Sequence, residues 1–186
     1  SGTEADISAK KGTENYIYDY RSSATELKAA LYSECDLKLK GAGSLTVASN
    51  SYMGIHGKDD ITVQKLTLNV DSYDIALKGN DEFYMKSGAI TLISRYADGI
   101  KTSNTGLSAK GNQKGNIIIE EGILTVYAAY DAIDAACSAE ILGGVINLTT
   151  AKYSEYSDKS AIYTNDQTVS AKSVSTIAFG GPGGGF

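Results

Sequence analysis

A small residue followed by an aliphatic one recurs six times along the chain, and this repeat limits the fold more than any other feature. The pairs are Ala30-Leu31, Gly54-Ile55, Ala76-Leu77, Gly99-Ile100, Ala132-Ile133 and Ala161-Ile162, with steps of 24, 22, 23, 33 and 29 residues between the aliphatic members. A period in the twenties to forties marks a solenoid or a similar array, in which each repeat buries its apolar face against the next. Two further alternating segments follow each pair. The second segments are Leu37-Lys38-Leu39, Ile61-Thr62-Val63, Phe83-Tyr84-Met85, Ile117-Ile118-Ile119, Ile141-Leu142 and Val169-Ser170-Ala171. The third segments are Leu45-Thr46-Val47, Leu66-Thr67-Leu68, Ile90-Thr91-Leu92, Leu124-Thr125-Val126, Ile146-Asn147-Leu148 and Val174-Ser175-Thr176. Apolar, polar, apolar over three residues is the period of a strand with one buried face. Gly41, Gly43, Gly88, Gly122, Gly143 and Gly144 fall at the turns between them, where positive φ is accessible to glycine.

Three short strands per repeat predict an all-β chain, a right-handed parallel β-helix of five to six coils. An up-and-down barrel needs hairpin turns of the Asn-Gly type, and an α-solenoid needs a helical period; neither pattern is present. The division expected is an N-terminal cap over 1–29, the β-helix over 30–178 and a Gly-rich tail over 179–186. Ser23-Ala24-Thr25-Glu26 reads as a capping box leading toward Leu31, and Tyr16, Ile17, Tyr18 and Tyr20 are expected to cover the first coil. Two inserts, about 102–115 and 150–160, are expected on a binding face or as plain surface loops.

Composition removes several function classes. A net charge of −5 supplies no basic surplus for nucleic acid, and no run of apolar residues is long enough to span a membrane. Cys35 and Cys137 fall in one turn column, with Asp59, Asp81, Asn104 and Asp166, but four coils apart. At the strand spacing of a sheet that is about 19 Å, so two free thiols are expected. His56 stands alone, and no nucleophile-histidine arrangement is visible.

Stacked coils turn alignment into contact. Asp98 and Asp131 occupy the same place before their pairs, which sets two carboxylates about 5 Å apart. Like charges that close raise a pKa or hold a cation, and oxygen-only ligands suit Ca²⁺. Asp74 lies one residue out of register, and Asp134 is expected to face out toward Lys101. Beside them runs a tyrosine column of Tyr52, Tyr73, Tyr96 and Tyr130, continued by Tyr156. Such a row either packs or offers a platform for sugar rings, with Arg95 and Lys101 placed to pair a uronate carboxylate. The outward column of the second strands reads Lys38, Thr62, Tyr84, Ile118, Leu142 and Ser170. Its apolar part, Tyr84, Ile118 and Leu142, is expected to lie beneath the first insert or, alternatively, to form a partner interface. That of the third strands reads Thr46, Thr67, Thr91, Thr125, Asn147 and Ser175.

The blocks Ala97-Asp98-Gly99-Ile100-Lys101, Gly57-Lys58-Asp59-Asp60-Ile61-Thr62-Val63 and Ser87-Gly88-Ala89-Ile90-Thr91-Leu92 resemble a family of bacterial carbohydrate-binding domains over about 29–178. That family is similar to the pectate-lyase-like right-handed β-helices. The resemblance implies calcium, an acidic plant cell-wall polysaccharide as partner, and a place outside the cell or on its surface. It carries the Asp-Gly-Ile turn to Asp98 and, as Asp-Ala-Ile, to Asp131, whereas Met53, Ile75 and Ser160 replace the aspartate elsewhere. The expected function is non-catalytic, calcium-dependent polysaccharide binding by a monomer. The metal residues are Asp98, Asp131 and Asp74, and the sugar-binding residues are Tyr73, Tyr96, Tyr130, Arg95 and Lys101. The alternatives are a polysaccharide lyase using Arg95 or Lys101 as base, and a structural stalk or adhesin solenoid.

Overall fold

The computed structural model describes residues 3–22 and 28–150, and the backbone of 162–164 and 168–171. Nineteen strands, numbered in chain order, form three parallel sheets, and no helix occurs among the described residues. Sheet I contains β1 (Glu4–Ser8), β4 (Asp36–Lys40), β7 (Asp60–Gln64), β10 (Glu82–Met85), β13 (Asn116–Ile119), β16 (Ser138–Ile141) and β19 (Thr168–Ala171). Sheet II contains β2 (Glu14–Asp19), β5 (Ser44–Ser49), β8 (Leu66–Ser72), β11 (Gly88–Ser94), β14 (Ile123–Ala128) and β17 (Val145–Thr150). Sheet III contains β3 (Ala29–Ser33), β6 (Met53–Gly57), β9 (Leu77–Gly79), β12 (Ile100–Lys101), β15 (Ile133–Ala135) and β18 (Ile162–Thr164). The chain visits III, I and II in turn, and each strand pairs with the one a coil away. This is a parallel β-helix with three strands per coil.

The repeated pair sets the register of sheet III. Leu31, Ile55, Leu77, Ile100, Ile133 and Ile162 stack in one unbroken column, and Ile55, Leu77, Ile100 and Ile133 are wholly buried. The small member is small because the next coil presses on it. A Cβ on Gly99 would sit 2.3 Å from Val126 Cγ1 and 2.6 Å from the Ala132 carbonyl, and Gly54 meets Val70 and Ala76 in the same way. The column of sheet I, Leu37-Ile61-Phe83-Ile117-Ala139, closes the core from the second side. At the corner between sheets I and II, Gly41, Gly88, Gly122 and Gly144 all take positive φ.

The structure corrects the alignment in two coils. Lys65 takes φ 58° where the other coils place a glycine, so the turn carries no glycine signal. Strand β8 starts early, and Thr46 pairs with Asn69, not Thr67. In the fifth coil the outward neighbour of Ile118 is Glu140, not Leu142, because Ala139 fills the inward place that larger residues hold elsewhere. Among the described residues, sheet II exposes Ile93, Ile123, Tyr127 and Val145, and the first insert exposes Leu107.

The N-terminal segment differs from a simple cover. Strands β1 and β2 extend sheets I and II by a further two-strand coil. Ile17 packs against the core, while Tyr16, Tyr18 and Tyr20 point out and stack on one another at 5.8 and 5.9 Å between centroids. Ala29–Ser33 is a strand and not part of a helix; residues 23–27 lie outside the described residues. So do Tyr156, Ser160, Asp166, Ser175, the second insert beyond Thr150 and the Gly-rich tail. Cys35 and Cys137 are both free thiols. The first insert is tied down at the corner between sheets III and I. Lys114 pairs with Asp81 at 2.6 Å, Asn104 Nδ2 donates to Asp81 at 2.7 Å, and Thr102 Oγ1 donates to the Gly115 carbonyl at 2.9 Å.

Candidate functional site

The corner where sheet II hands the chain to sheet III carries the site, and buried serines build it. Ser49, Ser72 and Ser94 end successive strands of sheet II in one column and are buried. Ser72 Oγ and Ser94 Oγ both donate to the Asp74 carbonyl, at 2.6 and 3.0 Å. Ser94 Oγ also accepts the Ala97 N–H, as Ser49 Oγ accepts the Tyr52 N–H. Each hydroxyl thus replaces backbone partners that a tight corner cannot supply. Ser49 and Ser94 stand two residues beyond their third-strand triplets, whereas Ser72 stands four beyond Leu68 and enters the column only through the shifted register of β8.

The serines hold the turns that present the acids and tyrosines. Asp74, Ile75, Tyr96, Ala97, Asp98, Lys101, Tyr130, Asp131 and Asp134 line a pocket of about 400 Å³. Ligand oxygens of Asp98, Asp131 and Asp134 all lie within 4.8 Å of one another. The Gly99 N–H donates to the Asp131 carbonyl at 2.8 Å, which fixes the stacking of the two turns. Asp98 Oδ1 then accepts the Asp131 N–H at 3.1 Å, and its Oδ2 accepts from Lys101 Nζ at 2.8 Å. Lys101 also donates to Asp134 Oδ2, so one ammonium bridges two carboxylates that are each only 8% exposed. Burial alone would lower the Lys101 pKa, but the bonds to Asp134 and Asp98 outweigh it and hold this lysine well above its usual range.

Most of the expected site residues meet here. Asp98, Asp131, Asp74, Tyr96, Tyr130 and Lys101 share the pocket. Asp134 joins the acidic group and Asp74 stands at its margin. Tyr73 lies beside the pocket with its ring 4.5 Å from that of Tyr96, and both rings are substantially exposed. Tyr52 is set apart beneath the Arg21 guanidinium. Arg95 points elsewhere and makes a two-pronged bond to Asp71, at 2.9 and 2.6 Å. That pairing keeps Arg95 firmly protonated.

Lys78 and His56 extend the basic side of the site along sheet III. Burial lowers the Lys78 pKa, the neighbouring Lys101 charge lowers it further, and Asp74 opposes both. Burial likewise lowers His56, against its bond to Asn80.

A family model described as carbohydrate-binding domain-containing protein matches residues 1–181, and the chain belongs to that family. Among solved structures, the chain is similar in fold to a polysaccharide lyase-like protein from C. thermocellum, determined as a gadolinium derivative. The likeness has a TM-score of 0.66 at 24% identity, and it covers 95% of this chain and 65% of that one. No curated protein matches the chain.

Proposed function

We propose that this chain is a non-catalytic polysaccharide-binding domain, acting at or outside the bacterial surface, whose pocket takes an acidic sugar with the help of calcium. The observation that carries the reading is the meeting of four carboxylates, three of them clustered, with one lysine and two tyrosines in a single pocket. The donor set fits a hard cation: Asp98, Asp131 and Asp134 offer only oxygen, and their oxygens are close enough to share one ion. These three residues would hold calcium, which when bound supplies the positive charge that lets an acidic polymer approach an acidic protein. Tyr96 and Tyr130 offer ring faces and phenols to the sugar, and Lys101 offers a cation to its carboxylate.

Binding is favoured over lyase chemistry by the state of the two candidate bases. A base must be deprotonated near the working pH, whereas Lys101 is held between two aspartates and Arg95 is tied to Asp71. The test is retention of polygalacturonate and of a neutral glucan by the parent and by Asp98→Ala/Asp131→Ala, with calcium and with chelator. Retention of the acidic polymer that is lost in chelator and in the variant supports the reading. Unsaturated uronate appearing in the same tube overturns it in favour of a lyase. Absence of any retention, with calcium leaving the melting temperature unchanged, overturns it in favour of a structural solenoid.

A further inference from the structure

Sheet III presents outward side chains that the register stacks into a row. Tyr32 pairs with His56, His56 with Lys78, and Lys78 with Lys101. Neighbours in the row are about 4.8 Å apart at the backbone, and the row runs along the solenoid axis. It joins two cavities. Lys101 lines the acidic pocket. Tyr32 lines another, of about 490 Å³, with Tyr18, Asp19 and Arg21.

The cations of this face differ in how their charge is met. Lys101 is held by Asp98 and Asp134, and Arg21 by Asp19. Lys78 makes no ion pair among the described residues, although it is half-buried. It lies directly beside a second ammonium, on a chain whose net charge is −5. Only the Asp74 charge, without an ion pair, is set against this half-buried cation, and an anion placed there would relieve both its desolvation and its repulsion from Lys101. His56 adds a directional partner. Its Nε2 donates to Asn80 Oδ1 at 3.1 Å, which leaves Nδ1 as an acceptor for a hydroxyl. Tyr32 packs edge to face on the His56 ring at 5.2 Å and continues the row as a sugar-sized apolar surface.

We propose that Lys78, flanked by His56 and Tyr32, is a second anion subsite that takes the carboxylate of a neighbouring uronate unit, so that the glycan lies along sheet III from the acidic pocket toward Tyr32. This rests on the glycan-binding reading and adds to it a direction, a length and a calcium-independent contact.

The test is calorimetric titration of the full chain, in calcium, with tetragalacturonate and with its methyl ester. The variants are Lys78→Gln, Lys78→Arg and Asp98→Ala/Asp131→Ala. Lys78→Gln is expected to weaken tetragalacturonate binding about tenfold, the scale of one lost charge-assisted hydrogen bond. It should leave binding of the ester unchanged, and Lys78→Arg should retain most of the affinity. Lys78→Gln should also melt at or above the parent temperature, because it removes an unpaired half-buried charge. Parent-like tetragalacturonate binding by Lys78→Gln, or equal loss for acid and ester, overturns the subsite. If Asp98→Ala/Asp131→Ala is impaired while Lys78→Gln is not, the subsite alone falls. If the parent binds neither ligand, the glycan-binding reading falls first.

Discussion

Two columns of carboxylates run along this solenoid, and they are compensated in opposite ways. In the pocket, Asp98 and Asp134 share the ammonium of Lys101. On sheet I, Glu4 pairs in register with Asp36, and Asp60 with Glu82, while the Asp60 N–H donates to the Asp36 carboxylate at 3.4 Å. Lys38 reaches Glu4 at the outer end, but Asp60 has acids on both sides. Burial, then the charges of Asp36, Glu82, Asp81 and Asp59, push its pKa up to about 6. Burial raises Glu82 as well. Coil stacking brings like charges together in both columns. What separates the two is whether the repeat also delivers a cation to the same row.

The sharpest way to break the contrast is to remove that cation. Lys101→Met leaves Asp98 and Asp134 buried and facing each other. The expected cost is about 2 kcal/mol at pH 7. That is below the 3–5 kcal/mol typical of a broken buried pair, because the lysine reaches the rim of the pocket. The deficit should shrink as the pH falls and the orphaned carboxylates take up protons. Chemical denaturation of parent and variant at pH 7 and pH 4.5 measures this. Calcium should raise the melting temperature of the variant more than that of the parent, since the ammonium no longer occupies the carboxylates. An equal calcium effect in both would mean that the cation and Lys101 do not share a site.

The converse change relieves the uncompensated column. The Asp60 pKa is raised on folding above its ordinary value of 3.8. The folded state therefore holds the proton more tightly than the unfolded chain, and stability falls as pH rises from about 4 through about 6. Asp60→Asn removes this penalty. It should stabilise the chain at pH 7 by about 1 kcal/mol, after allowance for the half of the side chain that water still screens, and should be neutral at pH 4. Thermal melts across that range decide it. A gain that persists at pH 4 would point to packing, not charge.

The sequence made the solenoid legible because an in-register parallel helix repeats its constraints. A buried aliphatic column, and a small residue wherever the next coil presses close, leave period signals that alignment recovers. Asp98, Asp131, Tyr96, Tyr130 and Lys101 could be brought together on that basis alone, since a shared offset from the pair implies a shared corner. The failures fall where one coil satisfies a constraint with an unusual residue. Lys65 turns without glycine and shifts the third strand of its coil, and Ala139 occupies a core place that the eye gives to Ile141. Side-chain direction was the other blind spot. Offset places Arg95 next to Tyr96, but only the coil spacing of Asp71 shows that its guanidinium is already engaged. The role of Asp134 was likewise half visible: its approach to Lys101 follows from the register, whereas its burial follows from the walls of the pocket.

Arg95 supplies the smallest and most discriminating test of the comparison. Its bond to Asp71 has better geometry than the contacts of Lys101, with two prongs from one guanidinium to one carboxylate. If pairing itself set the energy, losing it would cost at least as much as losing Lys101. The pair stands in solvent, however, with the arginine side chain 58% and the aspartate 40% exposed. Water replaces such a bond at little cost, and ordering two side chains uses up part of its attraction. Arg95→Ala should therefore change stability by less than about 0.5 kcal/mol, and it should leave polygalacturonate retention unaltered because the group faces away from the pocket. Denaturation and retention measured on the same preparation test both statements. A large loss of stability would show that cross-coil pairing, not burial, governs these columns. A loss of retention with stability intact would return Arg95 to the sugar-binding surface.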